Sequence, residues 1–214
     1  KQYDTALTEY QNIDQVIDSL VGSNGLPLNF ANLTRAQVQV GRGEIYTAQD
    51  EYAKAKQSFE TAVTLLEALD PRSKEGDVSL SQAYIGMADL YRYAPDIKDA
   101  VKANDYYNKA LTLAKTLPQL SDDRVMLFAR IYIGLSKLAE MGGNADLAAD
   151  LLHTAMENLA LVEEPYSSLV QDINNTHLSV DQRQMPTLTA SVGATHGYDG
   201  RGETQFNVDL ELPL

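Results

Sequence analysis

Apolar residues recur with a helical beat along most of this chain and with a two-residue beat at its end. The helical part repeats itself over 36–68, 81–117 and 129–162. The middles of the copies align as Val40-Gly41-Arg42-Gly43-Glu44-Ile45-Tyr46, Ile85-Gly86-Met87-Ala88-Asp89-Leu90-Tyr91 and Ile133-Gly134-Leu135-Ser136-Lys137-Leu138-Ala139. After each comes a polar break and a second periodic stretch: Ala55, Phe59 and Ala62, then Ala103, Tyr107 and Ala110, then Ala148, Leu152 and Ala155. The shared i, i+4, i+7 spacing is one face of a helix. Each copy therefore predicts a helix pair, A then B, and such pairs bury their apolar faces only by stacking on one another. Tyr3, Ala6, Tyr10 and Ile13 match a lone helix B before the first full copy, so the chain reads as a segment that opens mid-repeat.

The pattern resembles the tetratricopeptide family. A small residue stands mid-way along helix A (Gly43, Ala88, Ser136), and helix B carries Ala, a large residue and Ala at spacings of four and three. Small residues let helices A and B approach closely, while Tyr46, Tyr91, Phe59 and Tyr107 fill the gaps between layers. Ala6, Ala55, Ala103 and Ala148 are 49, 48 and 45 residues apart, so helices or connections are longer than in the family's minimal repeat. The resemblance implies an all-α fold over 1–163, an antiparallel helix-pair solenoid coiled as a right-handed superhelix. Turn signals at Gly22-Ser23-Asn24-Gly25-Leu26-Pro27, Asp70-Pro71, Leu117-Pro118 and Gly142-Gly143-Asn144 fall at the expected helix ends. The turn at Tyr93-Ala94-Pro95-Asp96 carries about three extra residues and is expected to protrude.

After Glu164-Pro165 the pattern weakens, and 164–185 reads as a capping helix and linker. Over 186–214 the period becomes two: Leu188, Ala190, Val192 and Ala194, then Phe206, Val208, Leu210 and Leu212, alternate with polar residues about a glycine-rich loop. This predicts a β-hairpin, which is not stable alone in water. The segment resembles strands of TolC-like channels and of exopolysaccharide-export outer-membrane proteins, which implies an association with the bacterial outer membrane. The other readings are a cap on the helical stack, a flexible tail, or a partner-binding element that adds strands to another chain's sheet.

Composition narrows the chemistry. Thirty acidic against 17 basic residues give a charge of −13, which opposes binding to nucleic acid. With no cysteine, disulfides, thiolate metal sites and cysteine nucleophiles are excluded. The three histidines, His153, His177 and His196, form no metal-ligand spacing. The Gly197 to Gly202 loop lacks the Lys and Ser/Thr of a phosphate loop and reads as a turn. Asp122-Asp123 precedes a helix A and reads as capping. No catalytic residue, metal or cofactor is therefore expected.

The remaining expectation is binding. In the tetratricopeptide family helix A lines a concave groove, and carrying those positions over gives Gln37, Val40, Glu44 and Thr47 in the first copy. The second supplies Gln82, Ile85, Asp89, Arg92 and Tyr93, and the third Arg130, Ile133, Lys137, Glu140 and Met141. Arg92, Arg130 and Lys137 stand out in an acidic protein as partners for the carboxylates of an extended peptide. Clamp positions that hold Lys and Asn in chaperone-binding relatives hold Val40, Ile85 and Ile133 here. The resulting expectation is a non-catalytic interaction scaffold in the bacterial periplasm or at the outer membrane, organising an export or surface-assembly complex. The alternative is a cytoplasmic adaptor that binds a peptide segment.

Overall fold

The structure, a computed structural model, describes residues 2–23, 25–119 and 121–160, with 171, 175 and 176. Seven helices account for nearly all of the first 160 residues: α1 (Gln2–Gly22), α2 (Leu28–Ala48), α3 (Tyr52–Glu67), α4 (Lys74–Tyr93), α5 (Ala100–Ala114), α6 (Asp122–Met141) and α7 (Ala145–Leu159). The described residues contain no strand, and none of their helices is long and apolar enough to cross a membrane. The hairpin expected over 186–214 and most of 164–185 lie outside the described residues.

The fold is all-α and repeat-like. α2 with α3, α4 with α5 and α6 with α7 make the closest pairs, and α1 packs on α2. The A helices reach 20–21 residues because they begin earlier than the apolar pattern suggests, after Pro27 at α2 and in capping turns at α4 and α6. The side chains of Ser73, Asp99, Ser121 and Asn144 accept backbone N–H groups of the first turns of α4, α5, α6 and α7. At α6 the cap is Ser121, and Asp122 and Asp123 sit inside the first turn, where they meet the helix dipole. α6 ends at Met141 with Gly142 as its cap and is followed by Gly143, whose φ of 76° suits glycine; the Asn144 N–H returns to the Ala139 carbonyl at 2.9 Å. The α4–α5 connection has six residues, 94–99, where α2–α3 and α6–α7 have three each, and Pro95 and Asp96 in it are exposed.

Two rows result. α2 touches α4 and α4 touches α6, whereas α1, α3, α5 and α7 do not touch one another. The A helices thus form the tighter, inner row and the B helices the looser, outer one. α4 is the centre of the stack, with twelve of its twenty residues buried, while Ile17 is the one buried residue of α1.

What sets the spacing is an aromatic ring against glycine. Phe59 of α3 lies between Gly43 of α2 and Gly86 of α4, and a Cβ at either glycine would come closer than 3.0 Å to the ring. Tyr107 of α5 meets Gly134 of α6 in the same way, and Tyr10 of α1 meets Gly41 of α2. The contact within a repeat, Gly43 on Phe59, follows the pattern in the sequence. The contact to the next repeat, made by Gly41, Gly86 and Gly134, has no role assigned in that pattern. At the position of Gly43 the third copy has Ser136, fully buried, whose hydroxyl donates to the Ala148 carbonyl at 2.7 Å.

These contacts order the glycines by cost. Overpacking a core costs about 1–3 kcal/mol, and the gain in helix propensity from Gly to Ala returns up to about 1. Gly86→Ala and Gly134→Ala, which press on the buried rings of Phe59 and Tyr107, are expected to destabilise by about 1–2 kcal/mol in urea unfolding. Gly41→Ala meets the far end of the part-exposed Tyr10 side chain, which can swing away, and is expected to cost less than about 0.5 kcal/mol. Equal costs at all three positions would contradict the ring-on-glycine account.

Candidate functional site

The expected groove residues fall on the inner row as three rungs set by the repeat. Gln37, Gln82 and Arg130 occupy aligned positions, then Glu44, Asp89 and Lys137, then Thr47, Arg92 and Glu140. Gln37 and Glu44 are exposed, and Gln82, Asp89, Arg92, Tyr93, Arg130, Lys137 and Glu140 are part-buried. Val40, Ile85 and Ile133, assigned to the groove from the sequence, are instead 5%, 1% and 3% exposed and belong to the core. They correct that expectation: the A helices pack so tightly that this helix face is not open.

The middle of the row is a closed network. Tyr107 is fully buried, and its hydroxyl donates to Asp89 Oδ1 at 2.6 Å. Arg92 donates from Nη2 to the same carboxylate oxygen at 2.8 Å and from Nε to the Tyr107 hydroxyl at 3.2 Å. Burial pushes the Tyr107 phenol well above its usual pKa, and the Asp89 carboxylate pushes it further. Burial opposes the charge of Arg92, but Tyr107 and Asp89 outweigh it and its pKa is raised. The guanidinium also stands 5.3 Å from the centroid of the Tyr93 ring, which meets Tyr52 edge-on at 5.8 Å. Burial first, then Asp89 and Tyr52, raises Tyr93 to about 12. Arg92 is therefore a fixed structural cation more than an open ligand hook.

The first and third repeats behave differently. Phe59 occupies in the first repeat the place of Tyr107 and has no hydroxyl to hold Glu44. Glu44 instead meets Arg130 of α6 at 3.5 Å, across 86 residues of chain. This pair spans the row from the first repeat to the third. Its length and half-exposed geometry make it weak, at about 0–1 kcal/mol. Gln37 donates to Ser79 Oγ at 3.3 Å and, with Gln82, borders a cleft of about 390 Å³ that also takes in Lys74, Ser121 and Asp123. Among the sequence-derived site residues the structure thus joins Asp89, Arg92 and Tyr93 in one cluster, Glu44 and Arg130 in another, and Gln37 and Gln82 in a third. No spacing rule in the sequence could have paired Glu44 with Arg130, because their meeting depends on how three helix pairs stack.

No group of three or more His, Asp or Glu residues gathers as a metal site among the described residues. His153 lies on the exposed face of α7, 3.2 Å from Glu157. Comparison with known families, with curated proteins and with solved structures finds no match to this chain.

The Tyr107 network sets an alkaline limit. A raised folded pKa means that the stability carried by the neutral phenol is fully present below pH about 10 and is lost as pH rises above it towards the folded value. Tyr107→Phe is expected to cost about 1–2 kcal/mol at pH 7, since Arg92 and Asp89 each lose a buried partner, and to make the alkaline decline shallower. Urea unfolding of both proteins from pH 7 to 11 checks this; parallel pH profiles would contradict it.

Proposed function

We propose that this chain is a tetratricopeptide-type interaction scaffold that holds an extended segment of a partner protein along the inner row of α2, α4 and α6. The observation that carries the reading is the row itself. The three A helices present Gln37, Glu44, Gln82, Arg130, Lys137 and Glu140 along one side of the stack, while Val40, Ile85 and Ile133 of the same helices are spent on packing. A polar, mixed-charge surface of this kind suits backbone amides and charged side chains of an extended chain. Nothing in it has the shape of a nucleophile with a base, and the reading is non-catalytic.

The Glu44–Arg130 pair gives the groove its chemistry. Being weak, it opens at little cost, and Arg130 then offers a bidentate donor to a carboxylate of the partner. The preferred segment therefore carries an acidic residue opposite Arg130. Placement in the bacterial envelope rests on 186–214, outside the described residues, and the groove reading is the same in the envelope or the cytoplasm.

Peptides selected on the wild-type protein from a random display library test this reading. Arg130→Ala is expected to weaken them by about tenfold, or roughly 1.4 kcal/mol, whereas Glu44→Ala frees Arg130 and tightens them a few-fold. Opposite signs from the two halves of one ion pair are the signature. Selected peptides that respond to neither variant would remove the groove from consideration.

A further inference from the structure

The outer row carries a second, independent feature, on a face of α2 other than that of Glu44. In the second repeat the seam between α3 and α5, over α4, is filled by tyrosines. Tyr106 stacks on Tyr91 with centroids 5.7 Å apart and planes 9° apart, and touches Tyr84 at 5.9 Å. Lys102 stands 5.3 Å over Tyr91, and Lys109 stands 5.1 Å over Tyr106. In the third repeat the aligned places hold Tyr132 and Leu151, again large side chains.

The first repeat keeps the frame and lacks the filling. Tyr46 aligns with Tyr91, and Lys54 stands 5.4 Å over its ring, as Lys102 does over Tyr91. Lys54 pairs with Glu51 as Lys102 pairs with Asp99, so the two seams share their flanking geometry. Ser58, however, stands where Tyr106 does, and Gln39 where Tyr84 does. Their smaller or polar side chains leave a cleft of about 560 Å³ between α1 and α3, floored by α2. Gln11, Gln39, Gln57 and Thr61 supply hydrogen-bonding groups around it. Its two cations are answered from within, Arg42 by Asp14 at 2.7 Å and Lys54 by Glu51, so the cleft is not built for a free anion.

We propose that this cleft is a binding site for a tyrosine side chain of a partner protein, whose ring takes the place that Tyr106 fills in the next repeat. Tyr46 stacks on the ring as Tyr91 stacks on Tyr106, and the amides around the cleft receive the phenol hydroxyl. An aliphatic side chain would bury those amides without partners, which disfavours it. The site is separate from the inner row and stands whether or not that row binds peptide.

The test is amide chemical-shift mapping of the full chain with N-acetyl-tyrosinamide and N-acetyl-leucinamide as probes. Saturable shifts confined to residues around Gln39, Tyr46 and Ser58 are expected from the tyrosine probe at millimolar concentration, and none from the leucine probe. Ser58→Tyr supplies the missing ring from inside and is expected to abolish the response while raising Tm. Tyr46→Leu removes the stacking partner and is expected to weaken binding at least about fivefold, and it carries the test if Ser58→Tyr does not fold. Equal response to both probes, shifts elsewhere on the chain, or undiminished binding in a folded Ser58→Tyr protein would overturn the proposal.

Discussion

An aromatic ring pressed against glycine is the contact on which the rest of this structure depends. Phe59 takes up the space that Cβ atoms at Gly43 and Gly86 would need, and so fixes how near α2, α3 and α4 can stand. Because Tyr10 and Tyr107 repeat the arrangement at Gly41 and Gly134, one local dimension is copied along the stack. The A helices approach one another and the B helices do not, so the spacing of the stack is a side-chain property expressed over several repeats. The same closeness turns Val40, Ile85 and Ile133 into core.

Small chemical differences on this common frame then decide what the inner surface offers. A hydroxyl on Tyr107 draws Asp89 and Arg92 inward and spends their charge on the core. Its absence on Phe59 leaves Glu44 to find a partner as distant in sequence as Arg130. Tyr107 with Arg92 in the second repeat, against Phe59 with Thr47 in the first, thus separates a fixed ion pair from an exchangeable one. On the outer side the exchange of Tyr106 for Ser58 has the same character: the frame is retained and only the occupant changes.

Much of the helical stack was legible in the sequence because a helix pair is a local object and its repetition multiplies a weak signal. Ala55, Phe59 and Ala62 announce a helix face, and three copies in register announce the stacking. The site was less legible, for two reasons. Which residues line a groove depends on how tightly neighbouring repeats pack, and the roles of Gly86 and Gly134 emerge only when the next helix is in place. Long-range pairs such as Glu44 with Arg130 leave no spacing to read. The empty seam was legible in principle, since Ser58 and Gln39 break a tyrosine pattern, but the break has meaning only once Tyr84, Tyr91 and Tyr106 are seen to touch.

The uneven burial of the helices has a consequence for how the protein moves. Each of α3 and α5 is held by an A helix on either side, whereas α1 touches α2 alone among the described helices. Its Ile13 is 38% exposed, although the aligned Ala62, Ala110 and Ala155 are fully buried, and its Leu20 is 41% exposed where Leu69 and Leu117 are nearly covered. In a one-dimensional array each element is only as secure as its neighbours make it. Among the described helices α1 is therefore the least enclosed and α4 the most, so α4 keeps its amide protons longest. The cleft between α1 and α3 is walled by this least enclosed helix, so anything that occupies it also ties α1 to α3.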